Sequence, residues 1–346
     1  MTVIPLPLDL LPYAWGEPQL SGVIRQQPQD FLVEEILGFE PQGEGEHVFL
    51  WVEKTALNTA QVAEHLARQA KIAVRQVSYA GMKDRHAVAR QWFSLHLPGN
   101  QVFDAQSLHH PGINVIKQAR HLRKLRRGAH RGNRFVITIA EMQGPLDEFA
   151  RSVEKITVAG VPNYFGEQRF GRKGMNLLQA QRWFAGEIKP RREQRGIYLS
   201  VARSYLFNQL LAQRVKAGDW NRLLDGELVM LDGSHSLFAE NNIEILQHRL
   251  LAGDIHPTGP MYGQPGSLSC AGEVAEREES VLKQYPALLT GLQQAGLKAE
   301  RRALRVIPKD VHWQLKNHRA EISFSLPPGC FATSVVRELV RYPLGD

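Results

Sequence analysis

Cysteine is scarce in this chain: Cys270 and Cys330 are the only two among 346 residues. So distant a pair makes neither a disulfide framework nor a four-ligand zinc site. Two free thiols in a reducing compartment are the expectation. No apolar run approaches the roughly 20 residues needed to span a bilayer. The opening stretch, MTVIPLPLDLLPYAWGEP, lacks a basic leader and carries Pro5, Pro7, Asp9 and Pro12, which is not a secretory pattern. A cytoplasmic protein without membrane contact is therefore expected. Sequence devices for bound nucleotides and metals are missing too. There is no G-x-x-x-x-G-K-[ST] phosphate loop and no G-x-G-x-x-G after a strand. There is no H-x-E with P-C-x-x-C, and no G-x-S-x-G elbow. An enzyme built without these works with side chains alone.

What the chain does carry is positive charge, unevenly placed. Lys and Arg number 42 against 35 Asp and Glu, a net charge of +7, which favours a polyanionic partner. Residues 117–134, KQARHLRKLRRGAHRGNR, hold eight Lys or Arg and no acid. Arg123, Lys124, Arg126 and Arg127 are the densest part, and they are candidates to neutralise nucleic-acid phosphates. Gly128 and Gly132 in the same run would let backbone approach a ligand. Two further clusters, KPRREQR at 189–195 and KAERRALR at 298–305, read by themselves as solvated faces. Phe31, Tyr164, Phe165, Phe170 and Phe331 stand beside Gly or polar residues, where a base can stack on a ring.

The pattern of elements sets an organisation. Residues 21–37 read as extended, with a polar turn at 26–30, and HVFLWVEK (47–54) reads as a strand. A helix is predicted near 58–71 with Asn58 or Thr59 as cap; Val62, Ala63, Leu66 and Ala70 share its apolar face. RQVSYA (75–80) is a short strand running through Gly81 into KDR, which puts Asp84 on a loop at a strand end, where catalytic groups collect. RFVITIAEM (134–142) alternates and reads as a strand, and 146–159 as a helix. From 176 to about 300 the pattern is mostly helical, broken by a Gly-rich stretch at 252–272. RALRVIP and AEISFSL (320–326) return to strand, and a final helix spans 332–341 with Thr333 or Ser334 as cap. Strand-rich ends around a helix-rich middle match a domain inserted between two halves of one sheet.

One segment is more specific than any of this. AGMKDRHAVARQWFSL (80–95) resembles the signature of the TruD family of tRNA pseudouridine synthases, A-G-x-K-D-[RK]-x-A-x-T-x-Q. The other family marks follow in order: PQDFLVEE (28–35), FEPQGEGEHVFLWVEK (39–54), LRRGAHRGNRF (125–135), GVPNYFGEQRFG (160–171), ARSYLFNQ (202–209), RALRVIP (302–308) and GCFATSVVREL (329–339). Together they cover nearly the whole chain.

The resemblance implies an α+β architecture: a pseudouridine synthase fold with a mixed, mainly antiparallel sheet flanked by helices, plus an inserted α/β domain. It implies a catalytic domain made of 1–158 and 306–346 around an insertion at 159–305. It implies isomerisation of uridine 13 of tRNA to pseudouridine, without metal or organic cofactor. The family's nucleophilic aspartate falls on Asp84. Its substrate-contact positions fall on Phe31, Asn133 and Phe331, and the aromatic that packs against the target base falls on Phe135. Arg25 stands where the family usually has lysine, and Ala89 where it usually has threonine.

The chemistry suits the residue types. Pseudouridine formation breaks N1–C1′, turns the uracil and rejoins it through C5, with no net redox change and no hydrolysis. It needs a carboxylate beside the ribose, as nucleophile at C1′ or as base for the 2′ proton. A neighbouring cation favours the ionised form, and Arg25, Lys83 and Arg85 are the candidates; the resemblance favours Arg25. Asn133 offers donor and acceptor to a uracil edge. Each residue also has a plainer role open to it: core packing for the phenylalanines, a turn for Asn133, a loop cap or surface ion pair for Asp84. The alternative function is a non-catalytic tRNA-binding or tRNA-folding protein on the same scaffold. The partner in either case is tRNA, and nothing in the sequence requires a protein partner.

Overall fold

The computed structural model describes residues 11–99, 101–240, 243–266 and 269–343. In chain order the elements begin with β1 (Ser21–Ile24), β2 (Phe31–Leu37), β3 (His47–Lys54), α1 (Thr59–Gln69), β4 (Val77–Tyr79), β5 (Val88–His96), β6 (Ile113–His121) and β7 (His130–Gln143). Next come α2 (Asp147–Ala159), β8 (Val161–Pro162), α3 (Met175–Phe184), α4 (Arg192–Ala217), β9 (Val229–Leu231), β10 (Leu237–Phe238), α5 (Ile243–Leu251) and β11 (Ile255–Met261). The order closes with α6 (Gly272–Leu282), α7 (Pro286–Gln294), β12 (Glu300–Ala303), β13 (Arg305–Val306), β14 (Lys309–Lys316), β15 (Arg319–Leu326) and α8 (Ala332–Val336). The class is α+β with a mixed, mainly antiparallel sheet, as expected.

The chain divides into two compact units. One comprises Leu20–Leu146 and Pro308–Gly329, the other the remaining segments. These boundaries differ from the expected 158/159 and 305/306. Helix α2 and the described residues 11–19 and 330–343 pack with the helix-rich unit. There the Glu338 carboxylate accepts hydrogen bonds from the Ala14 and Trp15 amides (3.0 and 3.3 Å), and the Trp15 indole donates to the Gly160 carbonyl (3.1 Å). Periodicity identifies an element; it does not say which layer the element joins.

The first unit is built on one nine-stranded sheet, ordered β14-β15-β7-β2-β5-β3-β6, with β1 added to β7 and β4 to β5. Strands β2 and β5 run parallel. Alternation sets the core. Val48, Leu50 and Val52 of β3 and Phe93 and Leu95 of β5 bury against Val62, Ala63, Leu66 and Ala67 of α1. On the other face Phe49 and Trp92 pack with Ala80 and Leu125. The start of α1 lies as expected, with Asn58 N–H donating to Gln61 Oε1 (2.8 Å).

In the second unit the 26-residue α4 is buried over most of its length, packed with Tyr164, Phe165, Phe170, Leu288 and Leu292. The sequence reads 176 to about 300 as mostly helical with a Gly-rich break at 252–272, yet β9, β10, β11 and β12 form a sheet in and beside that region. Strand β11, IHPTGPM, has two prolines and a glycine and looks like loop. Pairing with β9 and β12 overrides that local preference. The last helix is shorter than expected and starts after Phe331; Ser334 Oγ donates to the Tyr164 carbonyl (2.9 Å) instead of capping.

The three arginines of the third basic cluster point inward, although Lys298 is exposed. The Arg301 guanidinium binds the Glu278 carboxylate (2.6 Å), that of Arg302 lies 4.0 Å from the Phe165 ring centre, and Arg305 donates to the His256 ring (3.0 Å). These arginines knit the unit together. Tyr164, Phe165 and Phe170 are likewise buried, so none of the three presents a face to a base. No helix among the described residues is long and apolar enough to cross a membrane.

Candidate active site

The sheet of the first unit assembles the site by register. Lys54 pairs with Ala89, Ala89 with Val33, Val33 with Phe135, and Phe135 with Phe324. Paired residues share a face, so two-residue alternation adds Phe31 and Glu35 of β2, Gln91 of β5 and Asn133 of β7 to it. Over this face runs the 80–87 loop, which carries Asp84.

The loop is held by a chain of hydrogen bonds. Gln91 Nε2 donates to the Gly81 carbonyl (3.1 Å), and the Thr59 hydroxyl donates to Gln91 Oε1 (2.9 Å). The Lys83 amide donates to Thr59 Oγ1 (3.0 Å), and Lys83 Nζ meets Glu35 Oε2 at 2.7 Å. Lys54, fully buried at 0% exposure, donates through Nζ to the Asp84 carbonyl (2.6 Å) and the Leu57 carbonyl (2.8 Å). Burial lowers the Lys54 ammonium from 10.5 to about 8, against the attraction of Asp84; Lys83 lowers it further.

The Asp84 side chain is thus aimed by its own backbone. Its Oδ1 accepts the His86 amide (3.0 Å), and its Oδ2 lies 3.4 Å from Arg25 Nη2. It stays 13% exposed. Of the three candidate cations, Arg25 alone pairs with it. Lys83 is committed to Glu35, and Arg85 Nε donates to the Ala56 carbonyl (3.2 Å). Arg25 follows β1 with φ at +60°, a left-handed conformation that costs a non-glycine residue about 1–2 kcal/mol. From there its guanidinium also covers the Phe31 ring, 4.2 Å from the centre.

The candidate residues divide between the two units. Arg25, Phe31, Asn133, Phe135 and Asp84 all belong to the sheet unit. Phe31 meets Phe135 edge-on at 6.2 Å, and Phe135 packs on Phe324 at 5.7 Å. Both Phe31 and Phe135 are buried, so they form a floor and not the open stacking faces the sequence suggested. Asn133 is also buried, and its Oδ1 has no hydrogen-bond partner. Phe331 lies in the helix-rich unit, beside Phe165 at 5.9 Å. Ala89, where the resemblance expects threonine, is fully buried, and the loop's side-chain hydrogen bonds come from Lys54, Thr59 and Gln91.

Sequence reasoning missed Lys54, Glu35 and Gln91. A signal was present. Val48-Leu50-Val52-Lys54, Phe31-Val33-Glu35 and Ala89-Gln91-Phe93 each put one polar residue in register with buried apolar ones, and a buried polar group there demands a partner.

Loop 122–129 crosses from β6 to β7, which are not neighbours in the sheet, and leaves Arg123, Lys124, Arg126 and Arg127 exposed. Leu125 is the reason. It is buried with Ala80, Phe49 and Trp92, which turns its charged neighbours outward. The Gly128 amide donates to the Ala80 carbonyl (2.8 Å), tying this loop to the one that holds Asp84. Gly128 has φ at +77°. Gly132 has a different cause: a Cβ there would lie 2.6 Å from the Leu326 carbonyl oxygen of β15.

Fold and site together define an α+β protein with a carboxylate–guanidinium pair set over a wall of strands, and an exposed cationic loop tied to it. The family model for tRNA pseudouridine synthase D (TruD) matches residues 7–180 and 179–339. The chain is 43% identical to tRNA pseudouridine synthase D of Hydrogenovibrio crunogenus over 344 residues, covering 99% of each chain. It is 46% identical to the Xanthomonas axonopodis pv. citri protein of that name over 349 residues, covering 96% of this chain and 94% of the relative. A Methanosarcina mazei crystal structure described as tRNA pseudouridine synthase D superposes with a TM-score of 0.71 at 23% identity, covering 95% of each chain, which supports the fold. The chain belongs to the tRNA pseudouridine synthase D (TruD) family.

Proposed function

We propose that this protein isomerises uridine 13 of tRNA to pseudouridine, with Asp84 as the catalytic carboxylate. The observation that carries the reading is the Asp84–Arg25 pair, fixed by the buried Lys54 and left partly open above a wall of β2, β5 and β7. A tRNA substrate is what the relatives' names state. Position 13 rests on the resemblance of AGMKDRHAVARQWFSL and its companion motifs to the family signature.

In this reading the target uridine is everted from its stack, at a cost of a few kcal/mol. Its ribose lies against Asp84. The carboxylate acts as nucleophile on C1′ or as base for the 2′ proton. N1–C1′ breaks, C5–C1′ forms, and the C5 proton is lost while N1 gains one, so the product is an isomer. Arg25 favours the ionised carboxylate. Asn133 Oδ1 is a buried acceptor without a donor, which costs about 1–3 kcal/mol; the uracil N3–H is a group that would satisfy it. Phe31 and Phe135 give the apolar floor, and Phe331 is the further substrate-contact position.

Mass-spectrometric mapping of tRNA after reaction with the purified protein tests the proposal. Pseudouridine is expected at position 13 without any added metal or organic cofactor. An unmodified position 13 would reject it. The cationic loop is expected to supply tRNA affinity. Replacing Arg123, Lys124, Arg126 and Arg127 by Ala should flatten the plot of log binding constant against log salt, by roughly 0.7–0.9 for each phosphate no longer neutralised. An unaltered slope would show that the loop touches no phosphate.

A further inference from the structure

Beyond the loop itself, the sheet unit holds a groove of about 530 Å³ bounded by the start of α1, by residues 74–79 and by residues 124–127. Its size falls within the roughly 300–1,000 Å³ of ordinary ligand pockets. The floor is apolar, made by Ala63, Val77 and Leu125, which are buried. The rim is cationic: Arg75, Lys124, Arg126 and Arg127 line it and are exposed. Tyr79 lines it too, half-buried, with its ring edge-on to Phe93 at 5.9 Å. One acid, Glu64, stands on the α1 side.

We propose that this groove binds the sugar–phosphate backbone of RNA nucleotides close to the one being modified. An apolar floor suits ribose and base, a tyrosine edge suits a base or sugar, and four exposed cations suit phosphates. Position supports the link to the site. Tyr79 leads directly into the 80–87 loop, and the Gly128–Ala80 hydrogen bond joins the opposite wall to the same segment. The groove and the Asp84 loop therefore share their supports. Glu64 works against that binding, so the groove makes a prediction with two signs. This inference rests on the RNA reading of the preceding section.

The test measures tRNA affinity across a salt series for wild type, Arg75→Ala and Glu64→Gln, alongside pseudouridine formation by wild type. Arg75→Ala is expected to weaken binding several-fold and to reduce the log–log salt slope by about 0.7, the decrement for one phosphate of single-stranded RNA. Glu64→Gln is expected to tighten binding. Wild-type affinity and slope in Arg75→Ala would overturn the groove, as would weaker binding in Glu64→Gln. Either result beside normal pseudouridine formation leaves the enzymatic reading standing, whereas a wild type that forms no pseudouridine overturns that reading instead. Circular dichroism of both variants guards against misfolding, and both side chains are exposed.

Discussion

Asp84→Asn is expected to lower pseudouridine formation at least about 10³-fold, within the range for losing a nucleophile or obligatory base, while leaving tRNA affinity largely intact. The amide keeps the size of the carboxylate and one oxygen to accept the His86 amide. The Lys54, Thr59 and Gln91 bonds hold backbone and neighbouring groups, not the Asp84 carboxylate. The loop should therefore stay in place, and what disappears is the charge beside Arg25. Single-turnover product formation measured against equilibrium binding separates the two effects. Turnover near the wild-type rate would remove Asp84 from the chemistry and favour a tRNA-binding or tRNA-folding role.

The second large effect is expected at Lys54, which touches no substrate in this reading and acts by positioning. Lys54→Met should reduce kcat by about 10²-fold, the scale for displacing a catalytic group by about 1 Å, with a much smaller change in KM for tRNA. Stability responds through two opposing terms. The Asp84 and Leu57 carbonyls each lose a donor, at about 1–3 kcal/mol if left unpaired. Against that, a buried charge is removed. The pH dependence tells them apart. Lys54 titrates near 8 when folded and at 10.5 in an exposed chain. Between those values the unfolded state holds more of its proton, so the folded state gains stability as pH rises from about 8 to 10.5 and loses it as pH falls back through 8. Chemical denaturation across that window should show the gain in wild type and lack it in Lys54→Met. A variant with normal kcat, or with the pH slope preserved, would refute this role.

Several parts of the site were readable one residue at a time. Asp84 on a loop after a short strand, the capped helix at 58–71 and the strands at 47–54 and 320–326 follow from turn chemistry, capping and alternation, which are local properties. The family motifs added the identity of the carboxylate. Neither source located Lys54 or Glu35, because an inward-facing lysine or glutamate matters only through what lies across the sheet from it. The aromatic residues misled for the same reason. Phe165 and Phe170 have sequence neighbours that suggest exposure, but they are covered by α4 and its neighbours.

Charge shows the division most sharply. Sequence alone determined that the chain is basic, that its acid-free run leads into a strand, and that a K-D-R loop stands at a strand end. Tertiary structure decided which arginines reach solvent. Leu125, buried beneath its loop, sends Arg123, Lys124, Arg126 and Arg127 outward, while Glu278, Phe165 and His256 draw Arg301, Arg302 and Arg305 inward. Tertiary structure also pairs Asp84 with Arg25, the cation the resemblance favoured, and gives Lys83 to Glu35. The physical reason is common to both. A side chain's charge is written in the chain, but the energy of that charge depends on the groups and the water around it, and these are assembled only when distant strands meet.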